Sequence, residues 1–324
     1  MNIVVEWKIV IRMLVALSVL IPLVRPARAF NPPPPPNPPA QVFISSTGND
    51  TLACTQSSPC RTIYTAASTV AAGGQVWILD SGNFSASVPT IITKSMTIQA
   101  VPGALANLTA SSGQAAVQVN APGGTVAFRN LTISDQDGLF PGVDGIDITA
   151  AGVVSIENCL FADTRRNAVY ALGTNAVVHI SNTTFRNVAG WAVSAEDGPT
   201  VDITGSRLLH TGGVLSYARG LNSTTLVSVT DTTISDGGEG VSAQTGMVSG
   251  TARAFVTRST IFGTTSGLFT IALGGPALIT VSNSSITGNQ NAFSIQGGAI
   301  QSLGNNYMAD NGPETGTLTT IPLR

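Results

Sequence analysis

An all-β solenoid with three short strands per coil, stacked about ten coils high, is the fold class this sequence predicts. Three observations carry it. An eight-residue pattern recurs along the chain, as VSIENCLF from Val154, VHISNTTF from Val178, VDITGSRL from Val201, VSVTDTTI from Val227 and ITVSNSSI from Ile279. Its last residues, Ile133, Phe161, Phe185, Leu208, Ile234, Ile261 and Ile286, are separated by 28, 24, 23, 26, 27 and 25 positions by subtraction, a period that marks repeat architectures. No 3.6-residue rhythm runs between the copies, which excludes helical repeats.

Taken in chain order, the first element is an export signal over residues 1–29. Lys8 and Arg12 precede an apolar run from Met13 to Val24, and Ala27-Arg28-Ala29 fits the small-x-small cleavage rule. The run is shorter than the roughly 20 residues a membrane span needs. Residues 30–40 contain NPPPPPNPP, a stiff extended spacer. The repeat domain then covers residues 41–324, with ends at 41–80 and 305–324 that depart from the octet and are expected to close the stack, since open sheet edges aggregate. In the first of these, Thr62 to Ala72 reads as one short amphipathic helix with Ile63, Ala66, Ala67 and Val70 on one face. Cys54 and Cys60 close a short loop before it and are expected to be oxidised in an exported protein. Cys159 stands where the next octet has Thr183 and reads as a small buried filler.

Within each octet the apolar residues alternate. Val126, Val154, Val178, Val201 and Val227 lie seven before the terminal residue, and Phe128, Ile156, Ile180, Ile203 and Val229 five before it, as in strands with one buried face. The phase then breaks at Asn130, Asn158, Asn182, Gly205, Asp231, Arg258 and Asn283, a column dominated by types that accept turn or left-handed backbone. Each octet is therefore two strands meeting at a bend, and stacked Asn side chains are expected to hydrogen-bond from coil to coil there. A third apolar piece follows, as in AVYAL from Ala168 and AVSAE from Ala192.

These features resemble the right-handed parallel β-helix family, the pectin lyase-like architecture. The ends VFISSTGND and GNNYMADNGPETGTLTTIPLR resemble those of exported bacterial members known by fold more than by activity. The resemblance implies a substrate groove along the family's first sheet, which in this register is made by the third apolar pieces.

Composition bounds the partner. Of 324 residues 43% are hydrophobic and 10% charged, with 15 Lys and Arg against 17 Asp and Glu. The apolar content suits a folded chain, and the even charge gives no basic footprint for nucleic acid. A secreted or periplasmic protein results, without a membrane anchor once the signal is removed, facing a polysaccharide or a cell-envelope surface, and read as a monomer.

Candidate chemistry gathers in VDGIDI, from Val143 to Ile148, and ADTRR, from Ala162 to Arg166. The first resembles the polygalacturonase segment that carries a catalytic aspartate. That resemblance assigns Asp144, with Asp147 nearby and Asp163 as the second carboxylate an inverting hydrolase needs. In the lyase alternative the base would be Arg165 or Arg166, beside a Ca2+ cluster at Asp137, Asp144 and Asp163; otherwise no cofactor is expected. The paired Asp-Asp and the Arg-Ile-Lys of polygalacturonases are missing. Tyr170, Trp191, His210 and Tyr217 are candidate sugar-contacting residues. His210 belongs to a column, Asp135, Asp163, Asn187, His210 and Asp236, that turn chemistry alone also predicts. Ser155, His179 and Asp202 fall in one outward column across three coils, in the order nucleophilic catalysis uses. A flat sheet supplies no oxyanion hole to complete that set. Sequons at Asn130, Asn182 and Asn283 reflect the bend composition rather than glycosylation.

With the catalytic motifs incomplete, the leading expectation is a non-catalytic binding scaffold. The alternative is a pectin-type glycoside hydrolase or lyase.

Overall fold

The computed structural model describes residues 37–110, 113–135, 143–173 and 175–322. The compact body spans Pro38–Arg324. The export signal and nearly all of the proline spacer lie outside the described residues, as does Asp137.

The body is a parallel solenoid of three sheets. Sheet A has 12 strands, made by the first half of each octet; sheet B has 10, made by the second half; and sheet C has nine, made by the third apolar pieces. The nine strands of sheet C set the count at about nine complete turns among the described residues, one fewer than the repeat spacing suggested. Every strand pairs in parallel with its counterpart one coil away. Val154 sits beside Val178, Phe161 beside Phe185 and Phe185 beside Leu208.

Alternation of apolar and polar residues fills the interior. The seven octet-terminal residues from Ile133 to Ile286 are all within 1% of full burial, each worth about 2 kcal/mol of transfer free energy against the exposed state. The rings of Phe161 and Phe185 stack at 4.9 Å and 11°, an offset face-to-face pairing imposed by identical positions in adjacent coils.

The phase break is a left-handed backbone position in every coil. Asn130, Asn158, Asn182, Gly205, Asp231, Arg258 and Asn283 have φ between 48° and 61°. One residue per coil thus turns the chain from sheet A into sheet B. The expected coil-to-coil bonding of the Asn side chains occurs at one described pair, where Asn305 Nδ2 donates to Asn283 Oδ1 at 3.1 Å.

The ladder runs one position further on, inside the bend, and it is made of hydroxyls. The backbone N–H groups of Cys159, Thr183, Ser206, Thr232 and Ser259 donate in turn to the side-chain oxygens of Thr183, Ser206, Thr232, Ser259 and Ser284, at 3.2–3.3 Å. Each hydroxyl donates back to the carbonyl two residues earlier, as Thr232 does to Thr230 at 2.9 Å and Ser284 to Ser282 at 2.8 Å. These side chains are at most 3% exposed, and pairing both donor and acceptor is what makes buried hydroxyls tolerable. The small inward residues of this column are therefore more than fillers. Cys159, 4% exposed and unbridged, takes the last place in the row; burial pushes its thiol up to about 12.

The predicted helix is Ile63–Thr69, with Thr62 as N-cap accepting from the Thr65 N–H. Ile63, Ala66, Ala67 and Val70 all join the core. Cys54 and Cys60 form a disulfide. Asp50 ties that loop to the helix start by accepting from the N–H groups of Arg61 and Thr62 and the Thr62 hydroxyl. Burial raises the acid's pKa, but these donors outweigh it and hold Asp50 below the usual carboxylate value.

Candidate functional site

The outer face of sheet C carries the main polar cluster. Asp144 lies at the entry to strand Ile146–Ala150, Arg166 and Asn167 one coil later at the entry to Val169–Leu172, then Glu196 at the end of Val193–Glu196, and Tyr217 in Val214–Ala218 followed by Arg219. Four coils are thereby joined side by side, because register places Asp147 beside Tyr170, Tyr170 beside Ser194, and Glu196 beside Tyr217.

At one end of this net, Arg166 Nη1 stands 3.2 Å from Asp144 Oδ2, and the Asn167 N–H donates to Asp144 Oδ1 at 3.0 Å. The guanidinium of Arg166 also covers the Tyr170 ring at 5.0 Å. At the other end, Arg219 reaches Glu196 at 2.9 Å and Asp197 at 3.0 Å. Its Nη2 donates to the Tyr170 hydroxyl, which in turn donates to Glu196 Oε2, both at 3.4 Å. Tyr170 is thus the link between the two arginines.

Electrostatics differ along the net. Burial pushes the Asp144 carboxyl up to about 6, against the pull of the Asn167 N–H and the Arg166 charge, with the charge of Asp147 adding to the rise. Burial also raises Asp147, which accepts from Gln118 at 3.4 Å through Oδ2 while its buried Oδ1 has no partner. Burial raises Tyr170 as well, helped by Glu196. Asp197 moves the other way: burial opposes ionisation, but the N–H groups of Gly220 and Arg219 and the Arg219 side chain hold it low.

Of the residues expected from sequence, Asp144, Asp147 and Tyr170 meet here, and Tyr217 joins through the Arg219 guanidinium at 5.9 Å. Tyr170 does not offer a sugar-stacking face, since the ring is 8% exposed and capped by Arg166. Asp163 and His210 lie apart, in the left-handed corner that follows sheet B, with φ of 58° and 55°. Asp163 accepts from Asn187 Nδ2 at 3.0 Å, so turn geometry accounts for that column. Arg165 faces Asp135 rather than the net, at 3.7 Å, too long for a hydrogen bond. Trp191 enters through its backbone, donating to Asn167 Oδ1 at 3.1 Å.

Glu196, Asp197 and Arg219 were missed. The only signal was local, Glu196 and Asp197 closing AVSAED and Arg219 following VLSYA at the ends of successive third pieces. In the outward column of sheet A, His179 Nδ1 is 3.3 Å from Asp202 Oδ2. Ser155 is the register neighbour of His179, but no hydrogen bond joins them. Among the described residues no group of three or more His, Cys, Asp or Glu is arranged to hold a metal ion, and no helix is long and apolar enough to cross a membrane.

With this geometry in hand, residues 115–261 match the family model described as the right handed beta helix region. The described residues of that stretch are coils of the parallel β-helix. No curated protein matches the chain. Among solved structures, it is similar to XylC in complex with xylose, at 11% identity over 83% of this chain and 70% of that one, TM-score 0.48. It is also similar to a GH136 lacto-N-biosidase from Eubacterium ramulus, at 12% identity over 88% and 68%, TM-score 0.48. A GH87 α-1,3-glucanase catalytic domain in complex with tetrasaccharides aligns at 13% identity over 89% and 70%, TM-score 0.42.

Proposed function

We propose that this chain is an exported, non-catalytic β-helix that presents its rod to a polysaccharide of the cell envelope or its surroundings. The observation that carries the reading is the closed state of the sheet C net. Its two arginines and the carboxylates of Asp144, Glu196 and Asp197 are paired with one another, and Asp144 is 5% exposed. Carboxyls that act on a glycosidic bond must reach it from both sides; these are turned into the protein and serve to clamp coils together. The Cys54–Cys60 disulfide suits the oxidising compartment that an exported protein enters.

One observation favours a second reading. A carboxyl raised to about 6, beside a second raised carboxyl with an unpaired oxygen, is the electrostatic setting of a general acid. In a hydrolase, Asp144, raised by burial against the opposing pull of Arg166, would donate the proton, and Asp147 would activate water.

Affinity electrophoresis of the purified body through gels containing neutral and acidic polysaccharides separates the readings, run beside assays for reducing ends and for unsaturated products with and without Ca2+. Retardation without turnover is expected. Turnover that disappears in Asp144→Asn or Asp147→Asn would establish the hydrolase instead, and failure of every polysaccharide to retard the protein would sink the binding reading.

A further inference from the structure

On the opposite flank from the sheet C net, the bend between sheets A and B borders a groove of about 880 Å³, within the usual range for ligand sites. Its wall is the segment Val101–Leu105, and its length is set by Asn130, Asn158 and Asn182 on consecutive coils, ending at Arg186 and Leu209. The left-handed backbone at each Asn, with φ of 49–56°, aims one carboxamide per coil along this line. Adjacent carboxamides therefore repeat at about the 4.8 Å strand spacing.

In this groove Asn130 donates through Nδ2 to the Ala100 carbonyl at 3.3 Å, and the remaining long polar side chains are unpaired. The side chains of Asn158 and Asn182 make no hydrogen bond, and Arg186 makes neither hydrogen bond nor ion pair, although all three are exposed. No Asp or Glu lines the groove; among the described residues Arg186 shares the lack of an ion pair with the exposed Arg207 and Arg253, whereas Arg166, Arg219, Arg129 and Arg258 each have a carboxylate partner. The neighbouring acid, Asp163, is engaged by Asn187 Nδ2 at 3.0 Å, which leaves the Arg186 guanidinium without a bound carboxylate, and such a cation favours a negative ligand. The backbone here is closed to an added strand: the N–H groups of Asn158 and Asn182 already donate to Ser181 and Thr204 of the next coil. An extended peptide recognised by main-chain pairing therefore finds no donors, while a polymer recognised through its own hydroxyls and carboxylates does.

Resting on the polysaccharide-binding reading above, we infer that this bend groove is the binding site, that its ligand class is an extended acidic oligosaccharide, and that Arg186 takes a carboxylate while Asn158 and Asn182 take ring hydroxyls on successive sugars. The aliphatic side chains of Leu160 and Leu209 supply the floor.

The experiment is titration of the whole body with size-fractionated oligogalacturonate and, as a charge-free match of the same ring, its fully methyl-esterified form. Wild type is expected to bind the acid form and to bind the ester at least about tenfold more weakly, the value of one charge-assisted hydrogen bond. Arg186→Ala should lose about tenfold for the acid form alone, and Asn158→Ala with Asn182→Ala should weaken both forms. These side chains are exposed, so circular dichroism and melting should stay unchanged. Equal affinity for acid and ester, or acid binding untouched by Arg186→Ala, overturns the groove assignment while leaving polysaccharide binding by another face intact. If a library of extended peptides binds the groove and no uronate does, the ligand class is wrong. If neither uronate nor any neutral polysaccharide is retained, the broader reading falls with it.

Discussion

The inside of the bend and the outside of sheet C solve the same problem, joining one coil to the next through polar groups, in opposite ways. Inside, a hydroxyl takes one N–H from the previous coil and returns a proton to its own chain, and this unit repeats from Thr183 to Ser284. Outside, six charged residues drawn from four coils close around Tyr170, once. The interior solution is generic because each rung needs only a small hydroxyl residue and a neighbour. The exterior one is particular because it needs an arginine of the right reach at Arg166 and again at Arg219. Repetition serves every coil alike, and the single arrangement clamps four particular coils.

Four measurements break or sharpen that contrast. The largest effect falls on the interior. Phe161→Ala removes half of the ring stack at a site with no exposure and is expected to lower the free energy of urea unfolding by about 3–5 kcal/mol.

Next is the exterior, through pH. The folded Asp144 pKa is raised from 3.8 to about 6, so the folded chain holds a proton that the unfolded chain has released. Stability is therefore favoured below about pH 4 relative to above pH 6, and declines as pH rises through that window, by on the order of 2 kcal/mol from this group. Asp144→Asn carries no such proton, and melting curves of the two proteins from pH 4 to 7 should diverge accordingly; parallel curves would mean Asp144 titrates normally.

A smaller change comes from one rung. Thr232→Val keeps the shape and removes the acceptor for the Ser206 N–H, leaving a buried donor unpaired and costing about 1–2 kcal/mol, whereas the exposed Thr224→Val should be neutral. The smallest is His179→Ala. Its pair with Asp202 is half exposed on both sides, so unfolding should shift by no more than about 0.5 kcal/mol, and any ester hydrolysis should be unaffected.

What could be read from the sequence divides along the same line. The coil, the register of Phe185 against Leu208 and the left-handed column were legible, because a residue repeated every 25 or so positions with one chemical property reports a shared neighbour in space. The hydroxyl ladder was only half legible: Thr183, Ser206 and Thr232 were visible as a small inward column, but size and hydrogen bonding point to the same residue types, and the pattern alone did not separate them. Asn at the bend was assigned the ladder because its side chain can make one; the left-handed backbone instead turns that side chain outward. The sheet C net was least legible. Asp144 and Asp147 were found by likeness to a motif, while Glu196 and Arg219 have no counterpart in other coils and so leave no periodic trace. Their partnership depends on side-chain reach across two strands, a length that sequence spacing does not encode.

The interchangeable hydroxyl rungs carry a consequence for how such a gene can change length. Because Ser206, Thr232 and Ser259 make the same two bonds to their neighbours, copying or dropping one whole turn beyond Arg219 would rejoin a rung to a rung, with every later side chain still facing the way it did. The rod can grow or shrink there by unequal recombination without redesign, whereas the same slip between Asp144 and Arg219 would pull apart a constellation that must be inherited whole.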